Sequence, residues 1–324
     1  MKKNHIFIIL FASAFFMCFS LKFSTAFALE NQGGTKKLLI ISTGDPKGLY
    51  FYCGKRIEKI LNLTGKNSSA VCKTTNGALD NIKSVASSNA DFGFSQYDML
   101  LRSAAGELEG VNAKDLSLVT ILFPEVFTIV GNSGVKNLQD FSGKVISTHL
   151  PGSGIHLNSA QILEAAGLTD KVKLMDLNMR DTEKAFTEGK IDGFFSVIGM
   201  PASTITNSIS RVKDSSVVPI PEELRRKAVG LIKGFVPYEI PVLTYSNAAS
   251  IDTIATFAVI FARDNANDDN VSEILKSIYS LPDFSAEGTS GKVRYVSQKS
   301  AKKFLEGVKD IKIHKAAKKF FEIK

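Results

Sequence analysis

Ile41-Ser42-Thr43-Gly44-Asp45-Pro46 returns as Ile146-Ser147-Thr148-His149-Leu150-Pro151, 105 residues further on. Gly48 follows the first copy; Gly152 and Gly154 follow the second. Each copy runs into a stretch with helical spacing: Phe51, Ile57, Ile60 and Leu61 in the first, Ile155, Ile162, Leu163 and Ala166 in the second. Downstream, Asp91-Phe92-Gly93-Phe94-Ser95 matches Asp192-Gly193-Phe194-Phe195-Ser196 at an offset of 101. Strand-loop-helix patterns are common, but two matches at nearly one offset make coincidence the poorer reading.

Each half therefore reads as strand, glycine-bearing loop, helix, strand, helix, strand. The expected strands are Leu38–Ser42, Ala70–Thr74 and Phe92–Gln96, then Lys144–Thr148, Val172–Leu177 and Gly193–Val197. Alternation of this kind indicates βαβ units with parallel sheets, so the fold class is α/β with two similar lobes. Two apolar runs, Leu118–Phe123 and Val126–Gly131, flank Pro124-Glu125 and are read as the way out of lobe one. Thr253–Ala262, rich in β-branched and aromatic residues, is the expected return. Lobe one then comprises residues 29–131 and 250–324, and lobe two residues 132–249.

In open α/β sheets, ligands bind at the carboxyl ends of the strands. Four loops there precede helices: Gly44–Tyr50, Thr75–Ala78, Pro151–Ile155 and Gly199–Ala202. A helix amino terminus offers unpaired N–H groups and a positive dipole end, which suits a carboxylate or another small anion. Thr43, Thr75, Asn76, Gln96 and Ser153 are neutral hydrogen-bonding residues at these edges, Lys47 is the cation of the first-lobe loops, and His149 and His156 lie by the second. A plain turn is the alternative for each glycine taken singly; four loops at one cleft favour binding.

Composition narrows the chemistry. The 324 residues carry a formal charge of +8, with 44% hydrophobic and 22% charged residues, which excludes a disordered chain. The basic start Met1–His5, the apolar run Ile6–Leu21 and Ala26-Phe27-Ala28 read as a signal peptide, residues 1–28, cleaved after Ala28. The expected location is periplasmic, and the mature charge is +5. That surplus is local: residues 291–324 sum to +8. Phe304, Val308, Ile313, Ala317, Phe320 and Phe321 give this tail helical spacing. It reads as a docked helix with a solvated lysine face, or as a basic patch that meets an anionic membrane or acidic partner. Export argues against nucleic acid. No zinc motif occurs, and no cofactor is expected. SxxK occurs at Ser133, Ser210 and Ser300 without its KTG companion, and Gly152-Ser153-Gly154 has Leu157 where a dinucleotide fingerprint needs glycine. A non-enzyme is expected; the rivals are a hydrolase or transferase using a loop serine and an exported interaction protein acting through its basic C-terminal surface.

These residues resemble a known family, the TAXI type of solute-binding receptors of TRAP transporters, over nearly the whole mature chain. Ser42-Thr43-Gly44-Asp45-Pro46-Lys47-Gly48-Leu49-Tyr50 is similar to the family's glycine-rich opening. Thr74-Thr75-Asn76-Gly77-Ala78 sits where the family has Ser-Thr-Gly-Gly-Ser, and Ala90–Asp98 matches its Ala-Asp-strand-Gln-Ser-Asp segment. Leu122-Phe123-Pro124-Glu125 resembles the start of its hinge, while Pro151-Gly152-Ser153-Gly154, Ile162–Leu168 and Gly199-Met200-Pro201-Ala202 resemble its second lobe. His314, Ala317, Phe320 and Phe321 resemble its ending.

The resemblance implies a two-lobed periplasmic-binding-protein fold, type II-like, with two hinge-linked βα sandwich lobes. It implies a monomeric receptor that closes on a small organic acid, such as glutamate or a related dicarboxylate like 2-oxoglutarate, and delivers it to TRAP-type membrane subunits. The candidate ligand-binding residues are Thr43, Gly48, Leu49, Tyr50, Thr75, Asn76, Gly77, Gln96, Ser153, Gly154 and Met200. Ile155-His156 stands where the family often has Thr-Arg, which exchanges a permanent cation for a titrating one. Some relatives pair a cysteine in the first helix with one in the second strand. Against that pattern, Cys53 and Cys72 are both shifted toward the cleft by similar amounts, so a Cys53–Cys72 disulfide is expected over two free thiols.

Overall fold

The computed structural model describes residues 36–46, 48–108, 110–111, 113–280 and 296–324. The expected signal peptide and Lys47 lie outside them. The chain begins β1 (Lys37–Ser42), α1 (Leu49–Thr64), β2 (Ser68–Lys73), α2 (Ala78–Ala86), β3 (Phe92–Gln96), α3 (Tyr97–Ala104). β4 (Leu116–Gly131) leads into β5 (Val145–Ser147), α4 (Gly154–Ala165), β6 (Lys173–Leu174), α5 (Met179–Thr187), β7 (Gly193–Ile198), α6 (Ser203–Arg211), β8 (Ser216–Val218), α7 (Glu222–Leu231) and β9 (Val236–Ile240). β10 (Ile251–Arg263) returns, and α8 (Asp268–Tyr279), α9 (Gln298–Glu306) and α10 (Lys315–Phe321) follow.

The strand order is β2-β1-β3-β10-β4-β7-β5-β6, with β8 on β4 and β9 on β10. Inward from either edge, three parallel strands meet a long antiparallel one: β2-β1-β3 then β10, and β6-β5-β7 then β4. The sequence repeat is visible in the pairing. Ile41 pairs with Phe92, and Ile146 with Gly193, at the two repeat offsets. Asp91 Oδ2 accepts from the Ile40 amide at 2.9 Å, and Asp192 Oδ2 accepts from the Val145 amide at 3.0 Å. The aspartate before each third strand thus fastens it to the first strand of its own unit.

Two bodies of apolar side chains follow. One joins residues 39–123 with β10 from Ala258 onward and α8–α10. The other side of the molecule holds two clusters drawn from Val126 to Ala255. In the latter, Phe195 meets Phe127 and Phe141 edge-on at ring distances of 5.8 and 5.7 Å. Burying each such ring stabilises by about 2–3 kcal/mol. The protein is therefore two-lobed, and among the described residues β4 and β10 place buried side chains in the cores of both lobes.

Several elements differ from expectation. Pro124-Glu125 does not separate two strands: β4 runs straight through, 16 residues long. Pro124 faces Phe257, where the ladder with β10 shifts register, so its missing N–H is tolerated. β7 begins pairing only at Val126. The expected strand Val172–Leu177 shrinks to Lys173–Leu174, an exposed edge with little to bury. The tail forms two helices, with Gly307 at the C-cap of the first. Between them Ile313 bridges to Leu118, and the Leu118 amide donates to the Lys312 carbonyl at 2.8 Å.

The Cys53–Cys72 disulfide is absent; both thiols are free. Cys72 Sγ points at Gly54, 3.0 Å from where a Cβ would stand there. Neighbouring residues on a helix point about 100° apart, so the face that meets Cys72 is not the one carrying Cys53. Cys53 turns into the core, and burial pushes both thiols up to about 12.

Candidate functional site

The loops after β1, β2, β5 and β7 lead into α1, α2, α4 and α6, as the strand-loop-helix pattern requires. Their helix starts differ in how they are capped. Gly48 caps α1 and Gly77 caps α2 without side-chain hydrogen bonds. Gly77 adopts φ +122°, a conformation that an L side chain rarely takes. In lobe two α4 is closed by a side chain, while α6, like α1 and α2, has no side-chain cap. Ser153 Oγ accepts from the His156 amide at 3.1 Å, and the Ala202 amide at the start of α6 donates to the Tyr245 hydroxyl at 3.1 Å. Helix starts without a side-chain cap therefore occur in both lobes, at α1, α2 and α6.

The expected site residues fall into three groups. Leu49, Tyr50, Gln96 and Gly154 meet where the lobes touch. Gly154 opens α4 directly against the Gln96 side chain, with Met99 beside it. Leu49 presses on Gly199 across the same seam, and Phe123 backs that contact. The Tyr50 hydroxyl donates to Glu125 Oε2 at 2.7 Å. Thr75 and Asn76 form a second group, along a polar groove of about 650 Å³ with Asp45 and Lys73. The Thr75 hydroxyl donates to Asn81 Oδ1 at 2.7 Å, and the Asn76 amide side chain donates to Asp80 at 2.8 Å. The remaining residues face inward or serve the backbone. The buried Thr43 hydroxyl donates to the Lys73 carbonyl at 2.9 Å, Ser153 is the α4 cap, and Met200 sits in a lobe-two core with Ala202 and Ile205.

Sequence reading missed the acids of this seam. Asp98, in the first turn of α3, is wholly buried. Glu125, read as a hinge marker, is 5% exposed. Burial pushes Glu125 well above the usual carboxylate range; the Tyr50 hydrogen bond opposes this and the nearby Asp98 adds to it. Burial, then Glu125, raises the Tyr50 phenol well above its ordinary value. Burial pushes Asp98 up to about 6, against the opposing pull of Asn158, Thr256 and Arg102. Asn158 approaches Asp98 from α4, yet neither Asp98 oxygen and neither amide atom of Asn158 completes a hydrogen bond among the described residues. Gln96 Nε2 is also unpaired there. A signal for Asn158 existed: it lies four residues after Gly154, on the same helix face.

At the rim, His149 takes a left-handed backbone, φ +72°. Burial and then His156 lower its pKa, while Asp45 of the opposite lobe raises it. The Thr148 hydroxyl lies 3.2 Å from His156 Nδ1. Arg102 Nη1 reaches Gln161 Oε1 across the seam at 3.4 Å. No three or more His, Cys, Asp or Glu side chains gather as a metal site among the described residues.

The sequence profile of the NMT1-like family matches residues 41–323, from the first strand to the end of the last helix. The chain belongs to the NMT1-like family. Its fold is similar to that of a protein from Bordetella bronchiseptica RB50, with a TM-score of 0.51, 12% identity, and coverage of 75% of this chain and 70% of that one. It is also similar to the periplasmic aliphatic sulphonate binding protein SsuA from Escherichia coli, with a TM-score of 0.47 and 15% identity over 75% and 74% of the two chains. A third relative in structure is the alkanesulfonate-binding protein SsuA from Xanthomonas axonopodis pv. citri bound to MOPS, at 0.45 and 15% over 71% and 67%. With its mirrored sheet halves and two crossing strands, this NMT1-like chain has the two-lobed periplasmic-binding-protein fold. Among the described residues, no helix is long and apolar enough to cross a membrane.

Proposed function

We propose that this protein is an exported solute-binding receptor that captures a small organic acid between its lobes and delivers it to a TRAP-type membrane transporter. The observation that carries this reading is the seam itself. Gln96, Asp98 and Asn158, from both lobes, are buried with hydrogen bonds unmade among the described residues, and the half-buried Tyr50 hydroxyl meets the buried Glu125 carboxyl, beside the uncapped start of α1. A helix start of this kind suits a carboxylate. The lobes of this reading are residues 29–131 with 250–324, and residues 132–249, swinging about β4 and β10. A monomer working in the periplasm, with residues 1–28 removed, completes it.

The resemblance of the quoted loops to TAXI receptors supports the TRAP partner. Binding without bond-breaking is supported by Ser153, whose hydroxyl donates to the Leu150 carbonyl at 2.8 Å and caps α4, a poor arrangement for a nucleophile. The basic tail is less free than its charge suggests, since Lys312 pairs with Asp264 and Lys315 with Asp268.

Native mass spectrometry of the purified protein, then thermal shift against acidic amino acids and dicarboxylates, tests the reading. A ligand at 100 times its Kd stabilises by about 2.7 kcal/mol, so a true ligand raises Tm visibly. No retained acid and no shift across the panel would overturn it.

A further inference from the structure

The end of the chain carries a second, shorter repeat. Lys299-Ser300-Ala301-Lys302-Lys303-Phe304-Leu305-Glu306 returns as Lys315-Ala316-Ala317-Lys318-Lys319-Phe320-Phe321-Glu322, 16 residues further on. The first copy lies in α9; the second forms α10 and its C-cap, Glu322. Packing accounts for the apolar half of the motif. Ala301 and Leu305 of one copy, and Ala317 and Phe321 of the other, are buried in the core of lobe one. Phe304 meets Tyr97 and Phe257 at ring distances of 5.1 and 4.9 Å, and Phe320 meets Tyr279 at 6.0 Å.

Packing does not account for the lysines. Residues three and four apart share a helix face, so Lys299, Lys302 and Lys303 form one stripe, and Lys315, Lys318 and Lys319 another, each opposite the buried alanine of its helix. Lys302 Nζ lies 3.9 Å from Glu322, one turn past Lys318, which joins the two stripes. Lys312 and Lys315 are held by Asp264 and Asp268 of lobe one. Lys299, Lys303, Lys318 and Lys319 form no ion pair among the described residues. Residues 296–324 contain nine lysines, no arginine and three acids, Glu306, Asp310 and Glu322, a surplus of +6. Arginine, with its planar fork, suits a fixed carboxylate on a protein partner. Lysine is a compact, hydrated point charge, which suits a field spread over many lipid headgroups.

We propose that the paired lysine stripes of α9 and α10 form an electrostatic docking surface for an anionic phospholipid bilayer. This goes beyond the receptor reading, since it uses no residue of the seam between the lobes. The apolar side of each helix is committed to the lobe-one core, so both helices offer the bilayer charge without an apolar face. The contact is therefore reversible and sensitive to salt. Both stripes belong to lobe one, so a docked molecule leaves lobe two free to swing.

Co-sedimentation of the full mature chain with phosphatidylcholine vesicles, with or without about 30% phosphatidylglycerol, tests the surface. The parent should bind the anionic vesicles at low salt, ignore the neutral ones, and be released in about 0.5 M NaCl. A variant combining Lys299→Gln, Lys303→Gln, Lys318→Gln and Lys319→Gln, checked for a melt like the parent's, should partition at least about 100-fold more weakly. A control of the same net charge combines Lys171→Gln, Lys173→Gln, Lys213→Gln and Lys233→Gln, all exposed in lobe two. It should bind within about threefold of the parent, because charges beyond a Debye length from the surface are screened. Equal binding to neutral vesicles, binding that survives the salt, or equal losses in the two variants overturns the docking surface. Binding to poly-glutamate but not to vesicles overturns the lipid partner in favour of an acidic protein. No binding in any arm overturns the proposal as well. The receptor reading is tested separately, by ligand-dependent melting, and stands or falls without these results.

Discussion

At the residue scale, Asp98 concentrates the physics of the seam. Its carboxyl is pushed from 3.8 to about 6, chiefly by burial. The folded protein therefore holds this proton more tightly than the unfolded chain. Between about pH 4 and pH 6 its contribution to stability falls as pH rises, and above that range the loss is constant. Asp98→Asn removes the loss, which is at most about 3 kcal/mol for a shift of this size. The variant should melt higher than the parent at about pH 7.5, with the advantage vanishing near pH 4. Melting curves of both at the two pH values decide it, and an advantage equal at both would refute the assignment. The thiols make a second prediction. In native protein never exposed to reductant, both Cys53 and Cys72 should react with a thiol reagent on denaturation, and Cys53 should be protected while folded. One mixed lesson comes from the hydroxyls. Thr43 and Ser153 were rightly placed at strand ends and a helix start, but serine or threonine there can close the backbone as readily as a ligand. Sequence does not distinguish these uses, because the deciding partners, the Lys73 carbonyl and the His156 amide, are set by the fold.

Elements were legible where the pattern was repeated and opaque where tertiary contacts decided. The offsets of 105 and 101 placed β1, β3, β5 and β7, because each aspartate-glycine signature serves the same backbone bond in both units. β4 was misread at Pro124 because a proline in a strand usually marks a break. Here the register shift against β10 absorbs it, and that shift belongs to a strand more than 130 residues away. Likewise, acids hidden in a hinge strand and in a helix first turn look like surface residues until a second lobe covers them. The turn from α1 to β2 offers a test at this scale. A Cβ on Gly65 would collide with the backbone carbonyls of Leu61 and Ser68, which cannot swing aside as a side chain would. Gly65→Ala should lower stability by about 2–3 kcal/mol. An urea midpoint unchanged from the parent would show that this corner yields easily.

For the whole molecule, the contacts between lobes rest on places without a Cβ. Gly154 receives Gln96 and Met99, Gly199 receives Leu49 and Phe123, and Gly234 receives the Asp98 backbone and the Tyr97 ring. Such close seating lets two rigid lobes approach until polar groups from both are excluded from water, which strengthens every interaction inside. It also separates folding from closure. Gly154 begins α4, where a glycine costs up to about 1 kcal/mol of helix stability relative to alanine, and its missing side chain faces the other lobe. Gly154→Leu should therefore leave lobe two as stable as before, or slightly more so, while wedging the seam open against Gln96. Small-angle scattering should give a larger radius of gyration than the parent, and the ligand that stabilises the parent should bind at least about tenfold more weakly, since contacts from one lobe are lost. A variant that scatters and binds like the parent would mean that Gln96 simply swings away and that Gly154 does not limit closure. Loss of cooperative melting would instead place Gly154 in the folding of lobe two. The combination of an intact melt with an expanded, weakly binding molecule is the outcome that a hinged receptor requires.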